Sequence, residues 1–181
     1  EACPGFLAGH FSFMIWDPRF QHLFVAVDQF AHSPLFYRYE PGRYFLVANE
    51  CSAFHALGSD LTLNARRLRE FAKDVHSTTE TAYEEIRKLP PGNQLVVARA
   101  EFRQRCYWRW NRQRKALSYR SRHEYYFALQ NHFENAVQRC LRRVGPLTTQ
   151  ISGGIDTSAV TAQAAKTLAP ENQKLTAVTI L

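Results

Sequence analysis

The sequence predicts an α+β domain built on an antiparallel sheet, followed by the start of an α/β domain. Two observations lead to this prediction. The first half alternates short aromatic and β-branched runs with turn signals. The last third places a glycine-rich loop between an apolar run and a helix. We therefore expect one domain over residues 1–110, and over residues 111–181 a linker, a helix and the amino-terminal part of a second, incomplete domain.

The strands of the first domain are predicted from runs rich in Phe, Tyr, Val and Ile between Asp-Pro, Ser-Pro and Pro-Gly turns. We expect an antiparallel meander over residues 11–16, 23–28, 35–39 and 44–48. A closing hairpin on the same sheet is expected over residues 95–98 and 102–108.

Two helices are predicted between the meander and the hairpin. The first spans residues 51–57, and Asn64 is the expected N-cap of the second, which runs to Asp74. On this second helix, we expect Leu68, Phe71 and Ala72 to face the core.

The second domain opens with a helix that an S-x-x-E capping box at Ser121 and Glu124 predicts. Its apolar stripe is expected to face inward and comprises Tyr125, Leu129, Phe133, Ala136, Val137, Cys140, Leu141 and Val144. A strand over 147–151, a loop over 152–157, a helix over 158–168 and a strand over 175–181 then predict a βαβ unit with a right-handed crossover.

Composition limits the partners that we expect. The formal charge is +7, yet residues 99–122 hold nine Lys or Arg against one acid, so the basic character is local and we expect no nucleic-acid partner. No apolar run approaches the roughly 20 residues of a membrane span, so we expect no membrane partner and a cytoplasmic location. The four cysteines form no C-x-x-C pair and are expected to be buried free thiols.

The loop between the predicted strand and helix is the candidate site for chemistry. Successive backbone N–H groups and a helix amino terminus there favour a polyanion, and phosphate is the expected ligand. We expect Gly153 and Gly154 to adopt positive φ and to let the backbone approach the ligand. The hydroxyls of Ser152, Thr157 and Ser158 are expected to donate hydrogen bonds, and the Asp156 carboxylate to hold Mg²⁺.

This S-G-G-x-D-[ST] sequence resembles the PP-loop of ATP pyrophosphatases and lacks the lysine of a Walker A loop. The upstream half indicates which PP-loop family is involved. The sequence of residues 7–17 resembles the L-x-G-x-F-x-F-x-I-W-D strand of the class II, Ntn-type glutamine amidotransferase domain in asparagine synthetases. Further matches to that family follow in order at Asp28, Pro34, Leu35, Tyr37, Glu50, Ala53, Leu89, Pro90, Pro91, Gly92, Tyr107 and Trp108.

The resemblance implies a two-site reaction. Glutamine is hydrolysed in one domain, and ammonia passes to an acyl-adenylate made from ATP, with Mg²⁺, in the other. The implied substrates are glutamine and aspartate or another carboxylate. The family's glutaminase nucleophile is an amino-terminal Cys far upstream of the G-x-F-x-F strand, so Cys3 does not match it and the catalytic residues stay unknown.

Several alternatives stay open. Val27, Ala31 and Asn49 stand where the family usually has Arg, Gly and Ser. The departures at Val27 and Ala31 keep a β-lactam synthetase or a lasso-peptide macrolactam cyclase as a second enzyme interpretation. Glu1 is not an initiator Met, so we expect a fragment of a longer enzyme, and we expect the isolated 181 residues to be inactive. A homodimer stays open as the oligomeric state.

Overall fold

The protein is described by a computed structural model, which covers residues 1–58, 60–110, 116–142 and 145–179. The chain divides into two compact units, Glu1–Gln113 and Arg114–Leu181.

The first unit contains two antiparallel sheets. Four strands form one sheet in the order β1-β2-β6-β7, and three form the other in the order β4-β3-β5. In chain order, the elements after a 3-10 turn at Cys3–Phe6 are β1 (Ser12–Asp17), β2 (His22–Val27), β3 (Phe36–Glu40), β4 (Tyr44–Ala48), α1 (Ser52–Ala56), α2 (Ala65–Phe71), β5 (Arg87–Lys88), β6 (Asn93–Ala98) and β7 (Glu101–Cys106). The predicted α+β class is therefore confirmed for this unit.

The predicted single meander is wrong, because β2 pairs with β6 and not with β3. The connection after β2 is too long for a tight hairpin, and the buried Asp28 carboxylate folds it back by accepting the N–H groups of Phe30 and His32. The next hairpin, β3 with β4, consequently belongs to the second sheet. The predicted closing hairpin is confirmed, since β6 and β7 pair and complete the first sheet.

The core of the first unit lies among residues from both sheets. Val25 and Val27 on β2 and Leu95 and Val97 on β6 alternate with residues of the opposite face, as a pleated strand requires. They pack with Ala31, Leu35 and Leu89, and the partly buried side chains of Leu23, Tyr37, Tyr39, Phe45, Val47 and Phe102 pack against this cluster. Burial of each aliphatic side chain contributes on the order of 1.5–3 kcal/mol.

The predicted cap of α2 is confirmed, but its predicted inward face is wrong. The Asn64 side chain accepts a hydrogen bond from Arg67 N at 3.0 Å. Leu68 and Phe71 are 42% and 65% exposed and line an open cavity of about 400 Å³. Arg67 is buried instead, because its guanidinium pairs with Glu70 and donates to Val75 O. A buried guanidinium needs such partners, and they determine which face of this short helix turns inward.

The second unit contains α3 (Arg122–Cys140), β8 (Leu147–Gln150), α4 (Ile155–Leu168) and β9 (Leu175–Val178). Strands β8 and β9 pair in parallel, with Leu147 opposite Leu175, so the predicted βαβ order is confirmed. Residues 180 and 181 of the predicted last strand lie outside the described residues.

The amino terminus of α3 is capped as predicted, since Ser121 Oγ accepts from Glu124 N at 3.3 Å. Its apolar stripe is only partly covered: Val137 is buried, whereas Tyr125 and Leu129 are exposed. The two-stranded sheet and α4 are too small to cover a helix of this length. Val144 of the predicted stripe lies outside the described residues.

The four cysteines are free, as predicted, but the expectation that they are buried is wrong. Cys3 and Cys140 are exposed, and Cys51 and Cys106 are only partly buried. Cys3 lies in the 3-10 turn and Cys140 is the last residue of α3, two positions at the surface. Among the residues covered by the structure, no helix is both long enough and apolar enough to cross a membrane.

Candidate functional site

The candidate site lies where β8 passes into α4. The predicted loop over 152–157 is too long, because α4 begins at Ile155 and not at residue 158. Gly154 is the N-cap, with extended backbone, and its carbonyl already accepts the first helical hydrogen bond, from Ser158 N at 3.2 Å. Asp156, Thr157 and Ser158 therefore lie in the first turn of the helix.

The two glycines of the loop have different roles. Gly153 has φ +80, as predicted, whereas the prediction of positive φ for Gly154 is wrong, since its φ is −76. A Cβ added to Gly153 would meet nothing within 4 Å, and one added to Gly154 would lie 3.5 Å from Ser152 Oγ. The backbone therefore demands glycine at 153. At 154, glycine leaves the helix end without a capping side chain.

The first turn of α4 presents backbone donors. Among these described residues, no side chain caps the helix, so the N–H groups of Ile155, Asp156 and Thr157 lack the acceptors that a preceding turn would supply. The helix dipole adds partial positive charge at the same place. Ile155 is 84% exposed, so this end of the helix is open to solvent. The sequence did not single out the amide of Ile155, although glycine followed by an acidic first turn is a helix-start signal.

The side chains of the loop contact the loop itself. Thr157 Oγ1 lies 3.2 Å from both Ser152 N and Gly154 O, and 3.1 Å from Ser152 Oγ. Ser158 Oγ donates to Gly154 O at 2.8 Å. All six predicted site residues thus come together within this one strand-to-helix connection. The three hydroxyls, which were expected to donate to a ligand, bond within the loop in the structure.

Asp156 is exposed in the first turn of α4, where a carboxylate interacts favourably with the helix dipole. No group of three or more His, Cys, Asp or Glu able to hold a metal ion is found among the described residues. A divalent cation at Asp156 would therefore need further oxygen ligands from outside the protein, and phosphate groups supply such oxygens.

Two further threonines, which the sequence patterns did not indicate, connect the elements on either side of the loop. Thr149 Oγ1 on β8 lies 2.9 Å from Thr161 Oγ1 on α4, and Thr161 Oγ1 also donates to Thr157 O at 2.8 Å. The i, i+4 spacing of Thr157 and Thr161 was the available signal. These bonds tie the strand before the loop to the helix after it.

In the first unit, several residues that match the asparagine synthetase pattern lie around Asp28, which is buried. Its carboxylate accepts N–H groups from Phe11, Phe30 and His32, and it also contacts His32 Nδ1. Burial alone raises the pKa of Asp28, but these hydrogen bonds outweigh it and hold that pKa below its usual value. Ala31, where the family usually has Gly, has φ +50, so the turn keeps a conformation that glycine favours.

A second group of residues that match the family pattern contacts the backbone of Asp28. Gly92 N donates to Asp28 O at 2.9 Å, and Gly92 O accepts from Tyr107 N and Trp108 N. Gly92 has φ +64, and a Cβ there would lie 2.5 Å from Trp108 O. Tyr107 Oη donates to Val27 O at 2.6 Å. The pKa of Tyr107 is raised to about 12, mainly by burial and further by the nearby Asp28 and Cys106.

Glu50, which matches the family pattern, and Cys3, which does not, both lie outside this network. Glu50 is exposed and accepts from Ser52 Oγ at the start of α1. Cys3 is exposed in the amino-terminal 3-10 turn. The Asp28 network therefore has the character of a structural junction between the end of β2, the turn before β6 and the end of β7.

Comparison with known protein families matches both parts of the chain. Residues 1–108 match the family model of the glutamine amidotransferase domain, and residues 128–181, which include the loop, match that of asparagine synthase.

Three curated relatives align over most of the chain. It is 33% identical over 156 residues to amidase chry2 of Gibberella zeae and 31% identical over 157 residues to amidase chyE of Penicillium rubens, each covering 85% of this chain and 23% of the relative. It is 31% identical over 169 residues to asparagine synthetase [glutamine-hydrolyzing] 3 of Bacillus subtilis, covering 91% of this chain and 27% of the relative. The chain thus spans about a quarter of these proteins' length. With both family models matched in the order in which their motifs occur, the chain belongs to the asparagine synthetase family.

Proposed function

We propose that the β8–α4 loop binds the pyrophosphate portion of ATP with Mg²⁺, as part of an enzyme that forms amide bonds through an acyl-adenylate. One observation carries the proposal: the loop within the asparagine synthase match presents three uncapped helix amides beside an exposed carboxylate, Asp156. Amides at a helix start favour phosphate oxygens, and the carboxylate supplies an oxygen ligand for the cation. Bound ATP would supply the activating adenylyl group, and the chain's own residues would hold and orient its phosphates.

For the enzyme to which this sequence contributes, we propose asparagine synthesis from aspartate with ammonia from glutamine. The Bacillus subtilis relative, whose name specifies glutamine hydrolysis, supports this choice of substrates. The amidotransferase match over residues 1–108 supports glutamine as the source of nitrogen. A cytoplasmic location belongs to the same proposal.

A second candidate keeps ATP activation and changes the acyl group. Two relatives of comparable identity are named amidases, and Val27 and Ala31 depart from the family pattern. These observations favour an asparagine synthetase-like enzyme with a different carboxylate substrate, in the manner of a β-lactam synthetase or macrolactam cyclase.

Calorimetric titration of the 181-residue chain with MgATP tests the loop directly. We expect binding that weakens roughly tenfold, about 1.4 kcal/mol, in Asp156→Asn. Asp60→Asn removes one exposed carboxylate from the other unit and is the matched control; it should bind like the wild type. Absence of binding, or equal affinity in both variants, would rule out the proposed role of the loop.

An enzyme assay separates the two candidates. A full-length enzyme that contains this sequence should form asparagine from aspartate and glutamine while releasing AMP and pyrophosphate. Pyrophosphate release that depends on another carboxylate, with no asparagine formed, would support the second candidate in place of the first.

A further inference from the structure

The open cavity of about 400 Å³ beside α2 lies within the first unit. On one side α2 contributes Leu68 and Phe71 to its lining. On the other side, Phe36 of β3 lies directly opposite Lys88 of β5, so these two side chains project from the same face of their sheet. Ligand clefts are typically lined by apolar side chains with a few polar groups that fix the orientation of the ligand. This cavity has such a composition.

The apolar part of the lining is open to solvent. Leu68 and Phe71 are both exposed, and the Phe71 ring lies edge-on to the His76 ring, with 5.7 Å between the ring centroids. Phe36 is only partly buried behind them. Large apolar side chains gathered around a concave surface leave area that an apolar ligand can remove from water.

Lys88 supplies the charge that an anion would meet. Among the residues that the structure describes, the other ionisable side chains of the lining have partners, since Arg67 pairs with Glu80 and His76 contacts Asp74. Lys88 is partly buried, and no carboxylate of the described residues forms an ion pair with it. A carboxylate brought to this ammonium would gain more than at a fully solvated lysine, because the surroundings are less polar than water.

We propose that this cavity binds a small carboxylic acid with an apolar chain, whose carboxylate pairs with Lys88 and whose chain lies against Leu68 and Phe71. One ammonium balances one negative charge, and Glu80 lies in the same lining, so a monoanion fits better than a phosphate dianion. The site belongs to the first unit, and the inference does not rest on the proposed ATP-binding function.

NMR titration of the complete 181-residue chain compares three probes with the same apolar chain: octanoate, octanol and octylammonium. We expect octanoate to bind roughly fivefold more tightly than octanol, and octylammonium to bind most weakly. Lys88→Met keeps the length of the side chain and removes its charge, so it should abolish the preference for octanoate. Its affinity for octanol should stay unchanged, which shows that the cavity is still formed.

Two further lysine variants complete the comparison. Lys88→Arg keeps the charge and should keep the preference for octanoate. Lys73→Met is the matched control, because Lys73 is exposed just after α2 and does not line the cavity. It should bind all three probes like the wild type.

Cys51 reports where the probe binds, because it lines the same cavity and is partly buried. Burial raises the pKa of its thiol. Saturating octanoate should slow the alkylation of Cys51 by iodoacetamide roughly fivefold and leave that of Cys3, which is exposed outside the cavity, unchanged. The proposal is overturned by absence of binding, by equal affinity of the wild type for octanoate and octanol, by a preference that survives in Lys88→Met, or by an unprotected Cys51.

Discussion

Replacement of Gly153 by alanine tests the loop backbone without removing any side-chain contact. Gly153 has φ +80, a conformation that costs an L-residue roughly 1–2 kcal/mol. Alanine also restricts the unfolded chain, which returns about 0.4–1 kcal/mol. The added Cβ would meet nothing within 4 Å, so no steric term enters. We expect Gly153→Ala to lower the free energy of unfolding by about 1 kcal/mol, a shift of roughly 4–8 °C in Tm for a small domain.

Gly154→Ala is the matched comparison one residue away. Gly154 has φ −76, and its added Cβ would make an ordinary contact with Ser152 Oγ at 3.5 Å. We expect a net change within about 0.5 kcal/mol, because alanine is a poorer N-cap than glycine by roughly 1 kcal/mol and its restriction of the unfolded chain returns about 0.4–1 kcal/mol.

Thermal unfolding followed by circular dichroism at 222 nm measures both variants. The signal comes mainly from α3 and α4, the two longest described helices, so it reports on the unit that contains the loop. Equal Tm values for the two variants, or a larger loss in Gly154→Ala, would refute the assigned backbone conformations.

Three further predictions concern the first unit, whose unfolding tryptophan fluorescence can follow. Gly92→Ala should destabilise by at least about 2 kcal/mol, since its Cβ would clash with Trp108 O, whereas Gly42→Ala, with φ +74 and open space, should cost about 1 kcal/mol; equal losses in urea unfolding would contradict this contact. Because folding lowers the pKa of Asp28, the stabilisation from its carboxylate should be present above about pH 4 and lost as the pH falls through the folded pKa. Asp28→Asn should remove this pH dependence and lower the free energy of unfolding by roughly 2–4 kcal/mol at pH 7. An unfolding free energy that falls in acid as steeply in the variant as in the wild type would contradict the network. The pKa of Tyr107 in the fold, about 12, exceeds the usual 10, so its contribution to the free energy of unfolding should be complete below pH 10 and lost toward pH 12. Tyr107→Phe should therefore reduce the loss of stability between pH 10 and pH 12. An unchanged loss in the variant would assign it to another group.

Sequence patterns predicted the elements that depend on neighbouring residues. The aromatic and β-branched runs located β1 to β4, and the Asn64 and Ser121 caps are confirmed because a cap needs only the next three residues. The glycine loop was placed correctly between a strand and a helix for the same reason.

Two predictions that depended on distant partners were wrong, whereas the parallel pairing of β8 with β9 was predicted correctly. Strand β2 pairs with β6, far along the chain, and no local pattern specifies that choice. Arg67 is buried because carboxylates, including that of Glu80, pair with its guanidinium. The periodicity of apolar residues cannot indicate such a pairing.

The loop itself illustrates the same limit. Its residue types predicted which side chains come together, but not their hydrogen bonds, since the three hydroxyls bond to loop atoms. Gly154 was given positive φ from residue type alone, whereas its place as the N-cap requires extended backbone.

An NMR titration of the 181-residue chain with MgATP tests the central claim most directly, because it identifies the binding atoms by residue. We predict that the largest amide shifts occur at Gly153 to Thr157 and that they shrink when Mg²⁺ is withheld. Shifts confined to the first unit, or no shift in the amides of the loop, would contradict nucleotide binding at the start of α4.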